Sequence, residues 1–287
     1  MLISRRNGDL HLVKQIEHAR LCGDMVSRWG NERFDTPEPA ESVRLGAAMH
    51  DEGWREADEQ PLFNSEAGRP LHFLEIGMEE HVPLYGRGVD RAFDTDTYAG
   101  MMVSMHWTGL YRARWGMQAG RVEFADEKLQ NEAVEREEQR WIDVKRELLA
   151  DMDVRRSDFE AALWHHYDLL QVWDLLSLYV CLIDLTPADD AAPRPVPETL
   201  KAIDQEPGPR TIGSVPAGVA GERVDFELRA VEPGVVTVDP YPFDEDEVDW
   251  SVSAKVIPNR AYEGREDAAE TLAGARETTI ACRMKRP

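Results

Sequence analysis

Apolar residues recur with helical spacing over the first two-thirds of the chain. Between Ala162 and Leu185 they cover almost the whole circumference, a pattern typical of a buried central helix. The Glu- and Arg-rich stretch from Asp126 to Asp151 keeps only a thin apolar stripe and is typical of a solvated surface helix. The spacing predicts six helices, at about Lys14 to Trp29, Pro39 to His50, Val82 to Phe93, Asp96 to Arg112, Asp126 to Asp151 and Ser157 to Leu185.

The pattern changes beyond Leu185. A stretch rich in proline, alanine and acidic residues comes first, and short β-branched runs such as Val235 to Val238 and Trp250 to Val256 follow and predict strands. Near the N-terminus, Asn7-Gly8 between two apolar runs is a strong hairpin signal. We therefore predict a mainly α protein, divided into a β-hairpin at 1–13, a helical domain at 14–185, a linker at 186–210 and a small β-rich appendage at 211–287, which the hairpin is a candidate to join.

Composition bounds the class of protein. The chain has 287 residues, of which 42% are hydrophobic, and this is enough to bury a substantial core. No apolar run approaches the roughly 20 residues that cross a bilayer, and the first residues lack the pattern of a secretory signal. The three cysteines, Cys22, Cys181 and Cys282, are widely separated and show no CxxC spacing. These features predict a soluble cytoplasmic protein with no membrane partner and no disulfide framework.

Charge and missing motifs narrow the chemistry. The formal net charge is -22, and such a field repels phosphate backbones, so duplex nucleic acid is not an expected partner. The sequence has no GxxxxGK[ST] loop, no GxGxxG after a strand and no GxSxG elbow. Nucleotide binding by those loops and serine-esterase chemistry are therefore unsupported. Any catalysis is expected to depend on a metal.

A histidine and an aspartate stand side by side at the end of a predicted helix, in Met49-His50-Asp51-Glu52-Gly53-Trp54. Adjacent side chains on a helix point about 100 degrees apart. Both can reach one ion only if the helix ends or loosens there, and Gly53 allows that. The pair is therefore a candidate for metal binding.

Asp174 lies in the most apolar predicted helix. An ionised carboxylate there would cost several kcal/mol unless a cation or strong hydrogen-bond donors compensate it. Tyr167 and Gln171 share its helix face and could orient a metal ligand. The alternative is a buried Asp174 that is hydrogen-bonded to an indole or a hydroxyl group.

Three further histidines are candidate ligands. His18 and His106 lie on apolar helix faces and are expected to point inward, although a lone inward histidine is often a core residue with satisfied nitrogens. His81 is expected just before a helix, because Pro83 suits a first helical turn. His72, in a loop, is the main alternative to His81.

Taken together, His18, His50-Asp51, His81, His106 and Asp174 resemble the ligand order H…HD…H…H…D of the HD-domain superfamily, a helical fold with a metal site. The resemblance covers about Lys14 to Leu185, and the longer pattern that begins at Gln15 is similar to an uncharacterised prokaryotic branch. It implies an HD-domain-like helical bundle.

The resemblance also implies a dinuclear site. Its ligands form two sets that share one bridging carboxylate: His18, His50, Asp51 and Asp174 for one ion, and His81, His106 and Asp51 for the other. Such ligands suit iron or manganese, with zinc or cobalt as further options, and fit magnesium poorly. Two metals can activate a bridging water and hold a phosphate, so the implied activity is hydrolysis of a phosphomonoester or phosphodiester in a small phosphorylated substrate.

Further polar residues are candidates for catalysis beside Asp51. Lys14, Arg20 and Arg55 could pair with phosphate, although a surface ion pair is the commoner fate of such residues. Asp58 could act as a general base or cap a turn. The side chains expected to orient the ligands or close the pocket are Gln15, Trp54, Tyr167 and Gln171.

Two alternatives stay open. A small set of HD-fold enzymes uses nearly the same ligands around a mixed-valent di-iron pair that activates dioxygen, so the pattern is also compatible with an oxygenase. The chain could also be a non-catalytic ligand-sensing or adaptor module on the same scaffold. Retention of all six candidate ligands favours a catalytic protein over a sensing or adaptor module.

Overall fold

The structure, a computed structural model, describes residues 1–112, 127–151, 153–188, 191–219 and 221–287. Its helices are α1 (Gln15–Val26), α2 (Ala40–Met49), α3 (Arg55–Glu59), α4 (Met78–Thr95), α5 (Thr97–Tyr111), α6 (Glu127–Asp151), α7 (Arg156–Leu182), α8 (Val196–Thr199) and α9 (Arg265–Ala273). Its strands are β1 (Leu2–Arg6), β2 (Asp9–Val13), β3 (Phe63–Asn64), β4 (Arg69–Pro70), β5 (Arg194–Pro195), β6 (Arg210–Pro216), β7 (Arg223–Glu232), β8 (Val235–Asp239), β9 (Glu247–Ile257) and β10 (Arg276–Lys285). Two 3-10 turns lie at Glu52–Trp54 and Phe73–Glu75.

Eight of these strands form one curled sheet in the order β1-β2-β9-β10-β8-β7-β6-β5. The pairs β8–β10 and β5–β6 are parallel, and the other neighbours are antiparallel. Buried and exposed side chains alternate along β9, so one face of the sheet is apolar and the other is polar. Helix α7 packs against β1, β6 and β10, and α1 packs against α7 and β9.

The predicted fold class, a mainly α HD-domain-like bundle with a small β appendage, is wrong. The sheet is large, and it includes the N-terminal hairpin, whose turn residues Asn7 and Gly8 both have positive φ. Strand β2 pairs with β9, with Leu12 opposite Lys255. Hydrophobic periodicity reports the conformation of each segment but not which distant segments pair. The extent of the sheet was therefore underestimated.

The segment 186–210, predicted to be a linker, contributes to the sheet and to the core. Strand β5 pairs with β6, with Arg194 opposite Arg210, and Val196 in α8 is buried. Residues 189 and 190 of this segment lie outside the described residues. One apolar cluster runs from Leu2 in β1 to Met284 in β10. The hairpin, the helices and the C-terminal strands therefore share a core.

The longer helices lie close to their predicted positions, with two differences. Helix α4 begins at Met78, so His81 lies within it, and two glutamates in its first turn favour this earlier start because they interact well with the N-terminal helix dipole. Helix α6 buries Trp141 and is not a purely solvated helix; its predicted first residue, Asp126, lies outside the described residues. None of the described helices combines the length and apolarity that a membrane span requires.

Arg6 joins the sheet to the end of the central helix. Its guanidinium donates to the carbonyls of Val180, Cys181 and Ile183, at 3.5, 2.9 and 3.3 Å. The last carbonyls of a helix have no partner within the helix and carry partial negative charge, so a cation there is favourable. This contact fixes α7, the helix that carries Asp174, relative to β1.

Candidate metal centre

Three helices and one turn bring the candidate ligands together. Asp174 lies in α7, His18 in α1 and His106 in α5, while His50 and Asp51 follow the last residue of α2. All five side chains are at least 96% buried, because the largest exposed fraction among them is the 4% of Asp174. So many polar groups without solvent need partners inside the protein.

Helix α2 ends at Met49, and this ending lets both members of the pair face the same centre. His50 keeps near-helical backbone angles (φ -58°, ψ -27°), whereas Asp51 departs from them (φ -111°, ψ 20°) and opens the 3-10 turn. Gly53 matters here mainly for space, since a Cβ atom on it would collide with the Leu84 carbonyl of α4. The glycine therefore lets α4 lie directly against the turn.

The nitrogen and oxygen atoms converge to the spacing of a shared coordination shell. His18 Nε2 lies 2.8 Å from Asp51 Oδ2, and His50 Nε2 lies 3.7 Å from both Asp51 Oδ2 and Asp174 Oδ1. Two ligand atoms each about 2.1 Å from one ion are about 3.0 Å apart at a right angle and about 3.4 Å apart at the tetrahedral angle. Ligand atoms of His50, His106 and Asp174 also lie within 4.8 Å of one another.

Hydrogen bonds hold the rings of His18 and His50 in place. The Nδ1 of His50 is 2.8 Å from the Ala47 carbonyl, which can only accept, so Nδ1 carries a proton. The Nδ1 of His18 is 2.7 Å from Ser177 Oγ, and its Nε2 is 2.8 Å from Asp51 Oδ2, so both of its nitrogens are within hydrogen-bond distance of a partner. The Nε2 of His50 faces the carboxylates.

One buried nitrogen without a hydrogen-bond partner faces the two carboxylates: His50 Nε2. It is buried and makes no hydrogen bond with any described residue. A lone pair that faces two carboxylates is unfavourable unless a proton or a metal cation lies between them. The residues present therefore fit a cation between His50 and the two carboxylates, with His18 and His106 close by.

The electrostatics of the cluster agree with that fit. Burial opposes the charged form of His50, but Asp51 and Asp174 outweigh it and raise the pKa of His50 to about 9. Burial likewise opposes the charged form of Asp51, yet His50 and His18 hold its pKa well below the usual range. Burial is again outweighed at Asp174, where His50 lowers the pKa. The pocket thus keeps both carboxylates ionised and attracts a positive charge.

Tyr85 is a site residue that the sequence analysis missed. Its hydroxyl donates to Asp51 Oδ1 at 2.6 Å, and Trp54 Nε1 donates to the same hydroxyl at 3.4 Å. Burial and the Asp51 charge raise the pKa of Tyr85 well above its ordinary value. The spacing from His81 to Tyr85 is one helical turn, so a search for polar residues on the ligand-bearing face of α4 could have found it.

His81 and His106 line the same cavity. His81 Nδ1 lies 2.6 Å from the Tyr111 hydroxyl, and its ring centroid is 4.4 Å from that of Tyr85. His106 Nδ1 is buried without a hydrogen-bond partner among the described residues. Burial lowers the pKa of His81 to about 3 and that of His106 to about 4. Both rings are neutral near pH 7 and can act as metal ligands or acceptors.

The cavity beside the cluster has a volume of about 40 Å³, which is room for roughly three water-sized groups. Its polar lining residues are His18, Asp51, His81, Tyr85, His106 and Asp174. Its apolar lining, called the apolar wall below, consists of Trp54, Phe73, Leu74, Ile76, Leu110 and Leu178. Among the described residues that line it, none is lysine or arginine. The predicted alternative ligand His72 is not part of this lining and accepts from the Leu74 amide at 3.4 Å instead.

The predicted phosphate-binding cations lie in ion pairs away from the cavity lining. Lys14 pairs with Glu59, Arg20 with Glu17, and Arg55 with Glu52. Each has a partner on or near its own element, and none of the three lines the cavity. Their proposed contact with phosphate remains a prediction.

Asp58 and the predicted orienting residues are buried beside the cluster. Asp58 Oδ2 accepts from the Ile16 amide at 3.1 Å, near the start of α1, and burial raises the Asp58 pKa to about 6. Gln15 and Tyr167 are also buried. Gln171 is buried, and neither polar atom of its amide has a hydrogen-bond partner among the described residues.

The fold and the site together define an α/β protein in which a half-barrel sheet supports a buried histidine and carboxylate cluster. Residues 1–259 match a family described as "Protein of unknown function (DUF3891)", and the chain belongs to that family. No curated protein and no solved structure matches the chain. The assignment to the HD-domain superfamily is therefore wrong, because the family match is a different one and the architecture is built on an eight-stranded sheet instead of a helical HD fold.

Proposed function

We propose that this protein is a metal-dependent hydrolase that acts on a small phosphomonoester or phosphodiester. The observation that carries the proposal is the orphaned Nε2 of His50, which is buried 3.7 Å from two carboxylates with its opposite nitrogen already committed to the Ala47 carbonyl. Buried histidine nitrogens are usually hydrogen-bonded, and what marks His50 is that its unpaired nitrogen faces two carboxylates. A ligand histidine has this arrangement.

The ligands proposed for the ion are His18, His50, Asp51 and Asp174, with His106 adjacent. Imidazole and carboxylate together suit iron or manganese, and zinc or cobalt are further options. Such a cation would supply a Lewis acid for the phosphoryl oxygen and lower the pKa of a water molecule. The protein's own part is to hold the ligands in place, through Ala47 behind His50 and Ser177 behind His18.

The cavity limits the substrate. With about 40 Å³ of space it admits only a small reacting group, and the rest of a substrate would have to lie toward the apolar wall of Phe73, Leu74 and Ile76. Since no described lining residue is a lysine or arginine, the negative charge of a phosphate would be neutralised by the cation alone. These features favour a phosphoester that carries a compact, apolar leaving group.

An iron-dependent oxygenase is the second candidate. The same observations, an apolar wall and no described cationic side chain in the lining, also suit dioxygen and an uncharged substrate. Iron identity and redox activity distinguish this candidate from a hydrolase. It is proposed here on the cavity and its ligands alone.

The test compares the metal content of wild-type protein with that of His50→Ala, purified aerobically and anaerobically. Elemental analysis should find at least one transition-metal ion per wild-type chain and little in the variant. His165→Ala is the matched control, because His165 is a buried histidine of α7 that does not line the cavity, and it should retain the metal. Full metal content in His50→Ala would reject the proposal.

Activity then separates the two chemistries. Turnover of a chromogenic phosphoester by manganese-, zinc- or cobalt-loaded protein supports hydrolysis, provided that His50→Ala is inactive. Dioxygen consumption by the iron form, together with an electron paramagnetic resonance signal that changes on turnover, would favour the oxygenase over the hydrolase. Metal-bound protein without either activity would point to a sensing module.

A further inference from the structure

Asp51 has two carboxylate oxygens, and the structure assigns them to different partners. Oδ2 faces the imidazole nitrogens of His18 and His50, at 2.8 and 3.7 Å. Oδ1 accepts the hydroxyl hydrogen of Tyr85 at 2.6 Å. In a common bridging mode each oxygen of a carboxylate binds one ion. Here the second oxygen accepts a short hydrogen bond from a phenol of the chain itself.

The Tyr85 side chain is held firmly in this place. It is only 5% exposed, and its ring stacks on Trp107 with centroids 6.2 Å apart and planes 16° apart. Trp54 Nε1 donates to its hydroxyl at 3.4 Å. Moving the Tyr85 hydroxyl away from Asp51 would therefore require displacement of a packed aromatic ring in a dense core.

The hydroxyl also lies on the side from which His81 and His106 would bind a second ion. The Tyr85 ring centroid is 4.4 Å from that of His81 and 6.4 Å from that of His106. The Nδ1 of His81 is directed at the Tyr111 hydroxyl, 2.6 Å away. Tyr85 thus contacts Asp51 Oδ1 with its hydroxyl, and its ring lies next to the two histidines that were expected to complete a dinuclear site.

We propose that the Tyr85 hydroxyl makes this a one-ion centre, because it occupies the place from which Asp51 Oδ1 would bind a second cation. This inference rests on the proposed metal site but revises its stoichiometry from two ions to one. Tyr85 is a positioning residue: it fixes Asp51 so that Oδ2 faces the ion bound by His18, His50 and Asp174. Loss of the hydroxyl frees Oδ1 and leaves buried negative charge beside two neutral imidazoles, which is a site for a second cation.

The experiment counts ions in wild-type protein, Tyr85→Phe and Tyr111→Phe. Each protein is stripped with a chelator, reloaded with excess Mn(II), separated from free metal and measured by elemental analysis. Tyr111→Phe is the matched control, since it removes a phenol beside His81 and leaves the bond between Tyr85 and Asp51 intact. We expect one ion per chain in wild type and in Tyr111→Phe, and a doubling to two ions in Tyr85→Phe.

A second readout is spectroscopic. The Mn(II) electron paramagnetic resonance spectrum of wild-type protein should be that of isolated ions, and the spectrum of Tyr85→Phe should show the exchange coupling of a pair. Two ions in wild type, or one ion in a folded Tyr85→Phe, would overturn the inference and leave the proposed metal site standing. No bound ion in wild type would overturn the proposed function, and this inference with it.

Discussion

The Nδ1 of His18 lies 2.7 Å from the hydroxyl oxygen of Ser177, and this hydrogen bond holds the ring with its other nitrogen, Nε2, 2.8 Å from Asp51 Oδ2. The Ser177 hydroxyl also lies 3.0 Å from the Asp174 carbonyl, one turn earlier in α7. One hydroxyl therefore couples the helix that carries Asp174 to the ring orientation of His18. The first prediction follows from this coupling.

Ser177→Ala should weaken metal binding without unfolding the protein. The substitution removes the hydroxyl that holds His18 Nδ1, so the ring loses its fixed orientation. Partners of this kind are typically worth about 10- to 100-fold in metal affinity. Affinity is measured by competition with a chromogenic chelator. The control is Ser251→Ala, on the exposed face of β9. Equal affinities for Ser177→Ala and wild type would contradict the assigned role.

Asp58 should make the protein less stable as pH rises. Burial raises its pKa from 3.8 to about 6, so the folded state binds a proton that the unfolded state releases, and the associated stabilisation is present below pH 3.8 and lost as pH rises through 6. Asp58→Asn should remove this dependence while its side-chain oxygen still accepts from the Ile16 amide. Between pH 4 and pH 7 the unfolding free energy of Asp58→Asn should therefore rise, relative to that of wild type, by up to about 3 kcal/mol.

That difference is measured by urea unfolding of both proteins at a series of pH values. Asp24→Asn, at an exposed position of α1, is the matched control and should parallel wild type. A constant difference between Asp58→Asn and wild type across the series would show that the carboxyl titrates normally in the folded protein.

Gly53→Ala should destabilise the protein by about 2 kcal/mol or more, in the range of overpacking substitutions. A Cβ atom at this position would collide with the Leu84 carbonyl, and backbone cannot move aside as a flexible side chain can. Gly264→Ala is the control, because a Cβ there meets nothing within 4 Å. Thermal unfolding of both variants checks this, and equal midpoints would mean that α4 does not press on the turn after Asp51.

Arg6→Met should lower the free energy of unfolding by about 2 kcal/mol, because hydrogen bonds from a charged donor to buried carbonyls are among the stronger ones. The variant keeps most of the side-chain volume and loses the contacts with the end of α7. Arg5→Met, which removes an exposed ion pair with Asp204, should change stability by less than about 1 kcal/mol. Urea unfolding measures the free energy of unfolding of both variants. Similar losses in the two would show that the contacts of Arg6 with α7 add no more stability than an exposed ion pair.

The sequence indicated which residues lie close together better than it indicated the architecture. An ionisable residue in an apolar helix and adjacent candidate ligands at a helix end are local signals, and the structure brings Asp174, His50 and Asp51 together with His18 and His106. Tyr85 had a weaker signal, its position one helical turn after His81, because a tyrosine on a helix is ordinarily core. The sheet was underestimated for a different reason: the β2–β9 and β8–β10 pairings join segments far apart in sequence.

The pairing of β2 with β9 has a consequence for biosynthesis. Helix α1 follows β2 almost immediately, so the segment that carries His18 is docked through a strand that pairs with β9, which is translated long after it. Contacts between such remote segments require closure of a long loop, which slows folding. We therefore expect the cluster to mature only after β9 has emerged from the ribosome, and a nascent chain arrested before β9 to be unable to capture the ion.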